Sequence, residues 1–376
     1  MIITRVSSNY ITFIGGAISI LILGLLFFAV TSFGLAWSYN MKTNVDTDSV
    51  SLIRINNNYT TEDKKDVILA FDDAWKSQFT FAKPILDKYG FKGSFFIVCN
   101  YVGKTPDRMT WDDVQTLEKQ GHDIESHSMN HIPLDDLSQQ QLNYEIGQSK
   151  QCIIDHSIGT NTNNNDISTI SNNRSVPIFA YPFDIGHANM TVINTVAKFY
   201  QFGRTGDKPL AYLNCDLSLE DKKNGSITQS DYLNGKCENM PLVNTGSNNS
   251  KTGFASTASF DNLGMVNKYT IRSWTHHVHH PNISYNSSQM YNQFILEVNS
   301  QDKYNVDGRI NTIPIITYHN FTNYPITKYS RNEYNTDANL FSREMKYLYN
   351  NHFIVLPMSN IRFNEINKDL YLNITK

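Results

Sequence analysis

The sequence is poor in the features that mark several common functional classes. Its 32 lysines and arginines are outnumbered by 35 aspartates and glutamates, for a formal charge of -3, and no Lys/Arg cluster forms a phosphate-tracking patch. That excludes nucleic acid as the expected partner, because such binding depends on neutralising backbone phosphates. Cysteine is scarce: Cys99, Cys152, Cys215 and Cys237 have no C-x-x-C spacing, which argues against a zinc ribbon or finger. Cys215 and Cys237 either close a loop in an oxidising compartment, or all four are small apolar fillers. There is no internal repeat, so a solenoid is not expected.

The most local absence is of charge. From Val6 to Met41 there is no charged residue, and Ile11 to Trp37 is mostly Ile, Leu, Phe, Gly and Ala. A bilayer-spanning helix needs about 20 apolar residues, whereas a signal peptide has an apolar stretch of about 7 to 15. The expectation is an N-terminal transmembrane helix at 1–39, or a cleaved signal peptide, followed by a polar linker at 40–63. Arg5 before the span and Asp46 and Asp48 after it put the bulk of the chain outside. Sequons such as Asn58, Asn189, Asn286 and Asn320 permit glycosylation there.

What is present is a core rich enough to fold, at 40% hydrophobic and 12% aromatic content. Apolar runs and helix patterns alternate from Val67 onward, through expected strands at 67–71, 93–98, 122–126, 176–181, 269–274, 313–318 and 353–356. Expected helices lie between them, near 79–89, 110–119, 138–155, 191–200, 287–298 and 340–350. Repeated strand–helix alternation predicts an α/β fold with a parallel sheet closed, or nearly closed, as a barrel. The folded domain is expected over 64–360, with Asn/Ser-rich insertions near 157–175 and 214–262 and a C-terminal tail at 361–376.

Two motifs fall at expected strand ends. The run Val67 to Phe71 finishes on Asp72 and Asp73, and His127-Ser128-Met129-Asn130-His131 follows the third strand. Ligands bind at the C-terminal ends of parallel strands, so these groups are expected to share one mouth. Adjacent carboxylates repel unless a cation is near. Two imidazoles and one carboxylate with positions left for water make a catalytic metal set, and the second carboxylate is then free as a general base. Taken singly, either motif also fits a turn or a chance spacing.

These residues resemble the polysaccharide deacetylases with the NodB homology domain, carbohydrate esterase family 4. The family's T-F-D-D-G appears as Ala70-Phe71-Asp72-Asp73-Ala74, and its H-[ST]-x-x-H as His127 to His131. Its R-x-P-[FY] maps onto Ala180-Tyr181-Pro182-Phe183 without the arginine, and its L-x-H onto Thr317-Tyr318-His319. The best counterpart of the fourth motif is Ile271-Arg272-Ser273-Trp274, where the family's Asp is missing. The resemblance implies a distorted (β/α) barrel and removal of N-acetyl groups from an N-acetylated glycan. It implies Asp72 as base, Asp73, His127 and His131 as ligands of a divalent metal, most simply Zn2+, the Phe183 N–H as oxyanion donor, and His319 as general acid. Arg272 is expected to pair with Asp72 in place of the lost arginine. Trp75, Tyr181, Pro182, Trp274 and Tyr318 are expected to contact substrate, Trp75 as a sugar platform.

Two other readings stay open. One is a membrane-tethered glycan-binding protein with impaired chemistry, and the other is an amidohydrolase of small N-acyl compounds. The run His276-His277-Val278-His279-His280 is expected to be a loop rather than a second metal site.

Overall fold

The computed structural model describes residues 65–156, 175–206, 208–213, 268–277, 279–280, 283–305, 310–325, 334–366 and 369–374. The expected anchor and linker, nearly all of both insertions and the Cys215/Cys237 pair lie outside the described residues. Among the described residues no helix is long and apolar enough to cross a membrane.

The strands run β1 Asp66–Asp72, β2 Ser94–Ile97, β3 Asp123–Ser126, β4 Ile178–Ala180, β5 Phe202–Thr205 and β6 Leu210–Tyr212. They continue as β7 Ile271–Arg272, β8 Trp274–Thr275, β9 His279–His280, β10 Ile283–Ser284, β11 Thr312–Tyr318, β12 Asn320–Thr322, β13 Asn335–Asp337, β14 Ile354–Leu356, β15 Ile361–Asn364 and β16 Asp369–Leu372. The helices used below are α1 Lys83–Tyr89, α2 Trp111–Lys119, α3 Gln139–Leu142, α4 Ser149–Asp155, α5 Met190–Phe199, α6 Ser287–Asn299 and α7 Ala338–Asn350.

In the main sheet β11, β1, β2, β3, β4, β5 and β7 are successive parallel neighbours. The segment 271–275 brings the two ends together, because β7 pairs with β5 while β8, one residue further on, pairs with β11. Ser273 is the residue between them, and its N–H donates to the Thr205 carbonyl at 2.9 Å. The expected nearly closed α/β barrel is what forms.

Strand periodicity sorts the side chains into two cores. Ile68 and Ala70 of β1, Phe96, Ile178, Ala180, Phe202, Ile271 and Ile315 form one cluster inside the barrel. Val67, Leu69 and Phe71, with Phe95, Ile97, Phe179 and Tyr318, join the larger cluster between sheet and helices. Burial on both faces is why β1 reads as an unbroken apolar run. Within the expected tail, 361–364 and 369–372 pair as β15 and β16, and Ile361 and Leu370 pack into the inner cluster.

Helix starts follow their side chains. Thr110 and Asp113 make a capping box on α2, Asn286 and Gln289 make one on α6, and Asp337 caps α7. Two sequon asparagines, Asn189 and Asn286, thus spend their side-chain oxygens on the N-termini of α5 and α6. Cys99 and Cys152, 53 residues apart, form a disulfide between the end of β2 and α4. Neither alternative read from the sequence, a Cys215–Cys237 link or four apolar fillers, includes this pair.

One buried group makes stability depend on pH. His122 is 4% exposed; its Nδ1 accepts the Gly93 N–H at 3.1 Å and its ring meets Phe95 edge-on. Burial, then the positive charge of Lys92, pushes its pKa down to about 4. The unfolded chain titrates near 6.5, so below that pH it binds a proton that the folded chain refuses. Stability is therefore expected to fall by about 3 kcal/mol between about pH 6.5 and about pH 4. Urea denaturation at several pH values checks this, and His122→Phe should remove that part of the slope.

Candidate active site

The mouth of the barrel at the C-terminal strand ends holds a cavity of about 620 Å³. Asp72 ends β1 on the same face as Ile68 and Ala70, so it points inward, and the chain then turns sharply. Asp73 has φ 78 and Ala74 φ 55, while Ser128 and His131 have φ 70 and 55, and Phe183 and Asp184 have φ 56 and 58. Of the described non-glycine residues with such left-handed backbone, only His352 lies away from this mouth. Each costs roughly 1–2 kcal/mol, a strain that marks functional turns.

Asp73, His127 and His131 converge. Asp73 Oδ1 is 3.3 Å from His131 Nε2 and 3.7 Å from His127 Nε2, and one ligand atom of each lies within 4.8 Å of the others. His127 Nδ1 faces the Ala180 carbonyl at 2.9 Å. A carbonyl only accepts, so Nδ1 carries the proton and Nε2 keeps its lone pair for an ion. Burial, then the neighbouring His127, pushes the pKa of His131 down, which also favours the neutral ligand form. Asp73 Oδ1 is buried without a hydrogen-bond partner among the described residues. An N₂O set of neutral imidazoles and one carboxylate fits zinc or another divalent first-row cation.

The loop that carries the histidines is pinned from below. Cys99 and Asn100 N–H donate to the Ser128 and Met129 carbonyls. Glu145, in a π-helical turn between α3 and α4, accepts from the Asn130 N–H at 2.9 Å and the Asn130 amide at 2.6 Å. The Cys99–Cys152 bond joins the same two supports.

Asp72 is held by Arg204. Both Asp72 oxygens accept from Arg204 Nη2, at 2.7 and 2.6 Å, while Nη1 donates to Ser273 Oγ and Thr317 Oγ1. Burial by itself would raise the Asp72 pKa. The opposing charge of Arg204 and its hydrogen bond outweigh it and hold the carboxyl below its ordinary value. His319 Nε2 lies 4.0 Å from Asp72 Oδ2, on the β11 side of the cavity. The Phe183 N–H precedes the first closed bond of its turn, Asp184 N–H to the Tyr181 carbonyl. The Phe183 ring, 59% exposed, stands edge-on to His131 at the rim.

Several expected residues are placed elsewhere. Arg272 does not reach Asp72: its neighbour Ile271 faces the barrel interior, so strand alternation turns Arg272 outward, and Arg204 takes the expected role. Tyr318 also faces out, its hydroxyl donating to Glu344 Oε2 at 2.9 Å in a buried group with His276, so it cannot touch substrate. Trp75 has one face covered by Arg108, 3.4 Å from the ring centre, and donates its indole N–H to Asp73 Oδ2. It lies outside the cavity lining, as does Pro182, whereas Tyr181 and Trp274 do line it. The lining adds Asp184, Arg204, Thr275 and Tyr334, none singled out by motif, and His277 of the histidine run. A methyl group at Gly206 would collide with the Asp184 carboxylate. Among the described residues only the Asp73 cluster has the makings of a metal site, and His276 is instead buried against Glu344 and Thr336.

The chain is similar to several known proteins. The polysaccharide deacetylase family model matches residues 59–165. YxkH of Bacillus subtilis, assigned to the polysaccharide deacetylases, is 33% identical over 95 residues, covering 24% of this chain and 34% of its own. Among solved structures, the Streptococcus pyogenes deacetylase PplD in complex with acetate is 23% identical over 39% of this chain and 57% of its own, with a TM-score of 0.33. The Xyl-CE4 domain of a multidomain xylanase from the hindgut metagenome of Trinervitermes trinervoides is 16% identical over 79% of this chain and 88% of its own, with a TM-score of 0.41. The chain thus spans about a third of YxkH and little over half of PplD. Residues 59–165, the stretch that carries both aspartates and both histidines, are thus similar to the polysaccharide deacetylases.

Proposed function

We propose that this chain is a divalent-metal-dependent hydrolase that removes N-acetyl groups from an N-acetylated amino-sugar polysaccharide or surface glycan and releases acetate. The observation that carries the reading is the meeting of Asp73, His127 and His131 beside an Asp72 kept ionised by Arg204. Asp73, His127 and His131 would hold a zinc or similar divalent ion, which would supply Lewis acidity and lower the pKa of a water toward about 7. Asp72, unbound to the ion, takes the proton of the attacking water. The Phe183 N–H, fixed by its left-handed backbone, donates to the oxyanion that develops on the acetyl carbonyl. His319 delivers a proton to the departing sugar nitrogen. Tyr181, Trp274 and the exposed Phe183 ring form apolar walls for a sugar ring.

The uncharged stretch at 6–41 supports a membrane tether with the catalytic domain outside the cytoplasm. Fractionation of cells expressing the full chain, with accessibility to external protease, tests that.

The test of function is acetate release from N-acetylglucosamine oligomers by the full-length protein in detergent. Release is expected to stop after treatment with a chelator and to return with added Zn2+. Absence of metal-dependent release from any acylated sugar would remove the proposal. The impaired glycan-binding reading draws on one feature: among the described residues His319 Nδ1 is buried without a hydrogen-bond partner, so none of them orients the acid from behind. Binding of the oligomers without acetate release would favour it.

A further inference from the structure

Behind the Asp73 carboxylate lies an assembly to which the proposed reaction gives no role. Trp75 Nε1 donates to Asp73 Oδ2 at 3.2 Å, and Arg108 Nη1 donates to the Asp73 main-chain carbonyl at 2.6 Å. The Arg108 guanidinium is sandwiched, 3.4 Å from the Trp75 ring centre and 4.4 Å from that of Tyr101, and the Tyr101 ring in turn lies 6.2 Å from His131. The backbones are fastened together as well. Trp75 and Arg108 form an antiparallel bridge, Met109 N–H donates to the Ala74 carbonyl at 2.8 Å, and Lys76 N–H donates to Asp107 at 2.8 Å.

These contacts make the two oxygens of Asp73 unequal. Oδ2 is capped by the indole N–H, whereas Oδ1 is buried, lacks a hydrogen-bond partner among the described residues and faces both histidine nitrogens. They also brace the left-handed pair Asp73-Ala74, which would otherwise relax and swing the carboxylate. A guanidinium packed between two aromatic rings is a stiff support, since cation–π contact and the planar fork both resist rotation.

We propose that Trp75 and Arg108 are positioning residues that restrict Asp73 to one ligand oxygen, Oδ1, and thereby raise the affinity of the Asp73, His127 and His131 cluster for a divalent cation. This rests on the reading of that cluster as a metal centre. Partners that orient a metal ligand commonly change affinity about 10–100-fold when removed.

The test is zinc binding to the chelator-stripped full-length protein, measured by competition with a chelating dye, without any turnover. Trp75→Phe keeps a ring over Arg108 and deletes only the N–H donor. It is expected to bind zinc at least 10-fold more weakly than wild type, with an unchanged melting temperature in chelator. With cobalt(II) in place of zinc, the freed second oxygen should raise the coordination number and weaken the visible absorption. A purely structural role for Trp75 would move the melting temperature and leave that spectrum alone. Arg108→Lys, which loses the fork and the stacking plane, is expected to weaken zinc binding as well, and decides alone should Trp75→Phe not fold. Wild-type affinity and spectrum in the variants would overturn the inference while leaving the metal centre standing. Failure of the wild-type protein to take up zinc or cobalt would overturn both.

Discussion

The Asp72→Asn variant is expected to lose about 10²–10⁴-fold in acetate release, the range that a positioned general base contributes. Zinc uptake by the Asp73 cluster should persist, because Asp72 is the acid left over once that cluster is assembled. The two carboxylates are chemically alike, and their surroundings divide the work. Asp73 offers the histidines an oxygen with no hydrogen-bond partner among the described residues, while both Asp72 oxygens accept from a guanidinium that holds the group ionised. Substitution of Asp72 has a second effect that must be separated from the first. It leaves the Arg204 charge, 3% exposed, facing a neutral amide inside the barrel. The variant is therefore also expected to be less stable, and activity has to be compared at a temperature where both proteins are folded.

Arg204→Met isolates that second effect. Removing one partner of a buried ion pair typically costs about 3–5 kcal/mol, since the other charge is left without compensation in a low-dielectric interior. Asp72, 4% exposed, would meet that penalty unless it took up a proton, and a protonated Asp72 cannot act as the base. Urea denaturation in chelator should show the loss, and acetate release should collapse with it. The double variant Asp72→Asn/Arg204→Met is expected to regain most of the stability and none of the activity, because an apolar chain beside Phe96 replaces an ion pair whose desolvation was costly. If the double variant is as unstable as the sum of the two single changes, the pair is not coupled by charge and the account of Asp72 is wrong.

Arg204 is also where the sequence was least readable. The motif residues could be placed in advance because β1 and β11 are buried on both faces and end in polar residues, so Asp72, Asp73 and His319 sit at visible boundaries. His127 and His131 follow a strand of similar kind. β5 gives no such signal: it is four residues, Phe-Gly-Arg-Thr, with a glycine and a charge inside. Gly203 is there for space, as a side chain would press to 2.6 Å from the Tyr269 carbonyl and 2.9 Å from the Tyr181 ring. Only the two-residue step from inward Phe202 hints that position 204 shares its face. Arg272 was the natural guess because it neighbours Trp274 in sequence, but the same two-residue step from Ile271 sends it outward. Thr317, where the family has leucine, makes sense only beside Arg204, to which its hydroxyl is bonded. Two departures from the motifs thus meet in one hydrogen-bonded group. The Cys99–Cys152 pair was hidden for another reason, since cysteine spacing does not determine connectivity.

That cross-link has a practical consequence. The covalent loop it closes contains both histidines, and one of its anchors donates its amide to the turn between them. Protein made in a thiol-rich host would leave the factory with this clasp undone, and metal titrations on such a batch would describe a slacker cradle than the oxidised chain owns. Preparations should therefore be graded by free-thiol count before any kinetic comparison is drawn between them.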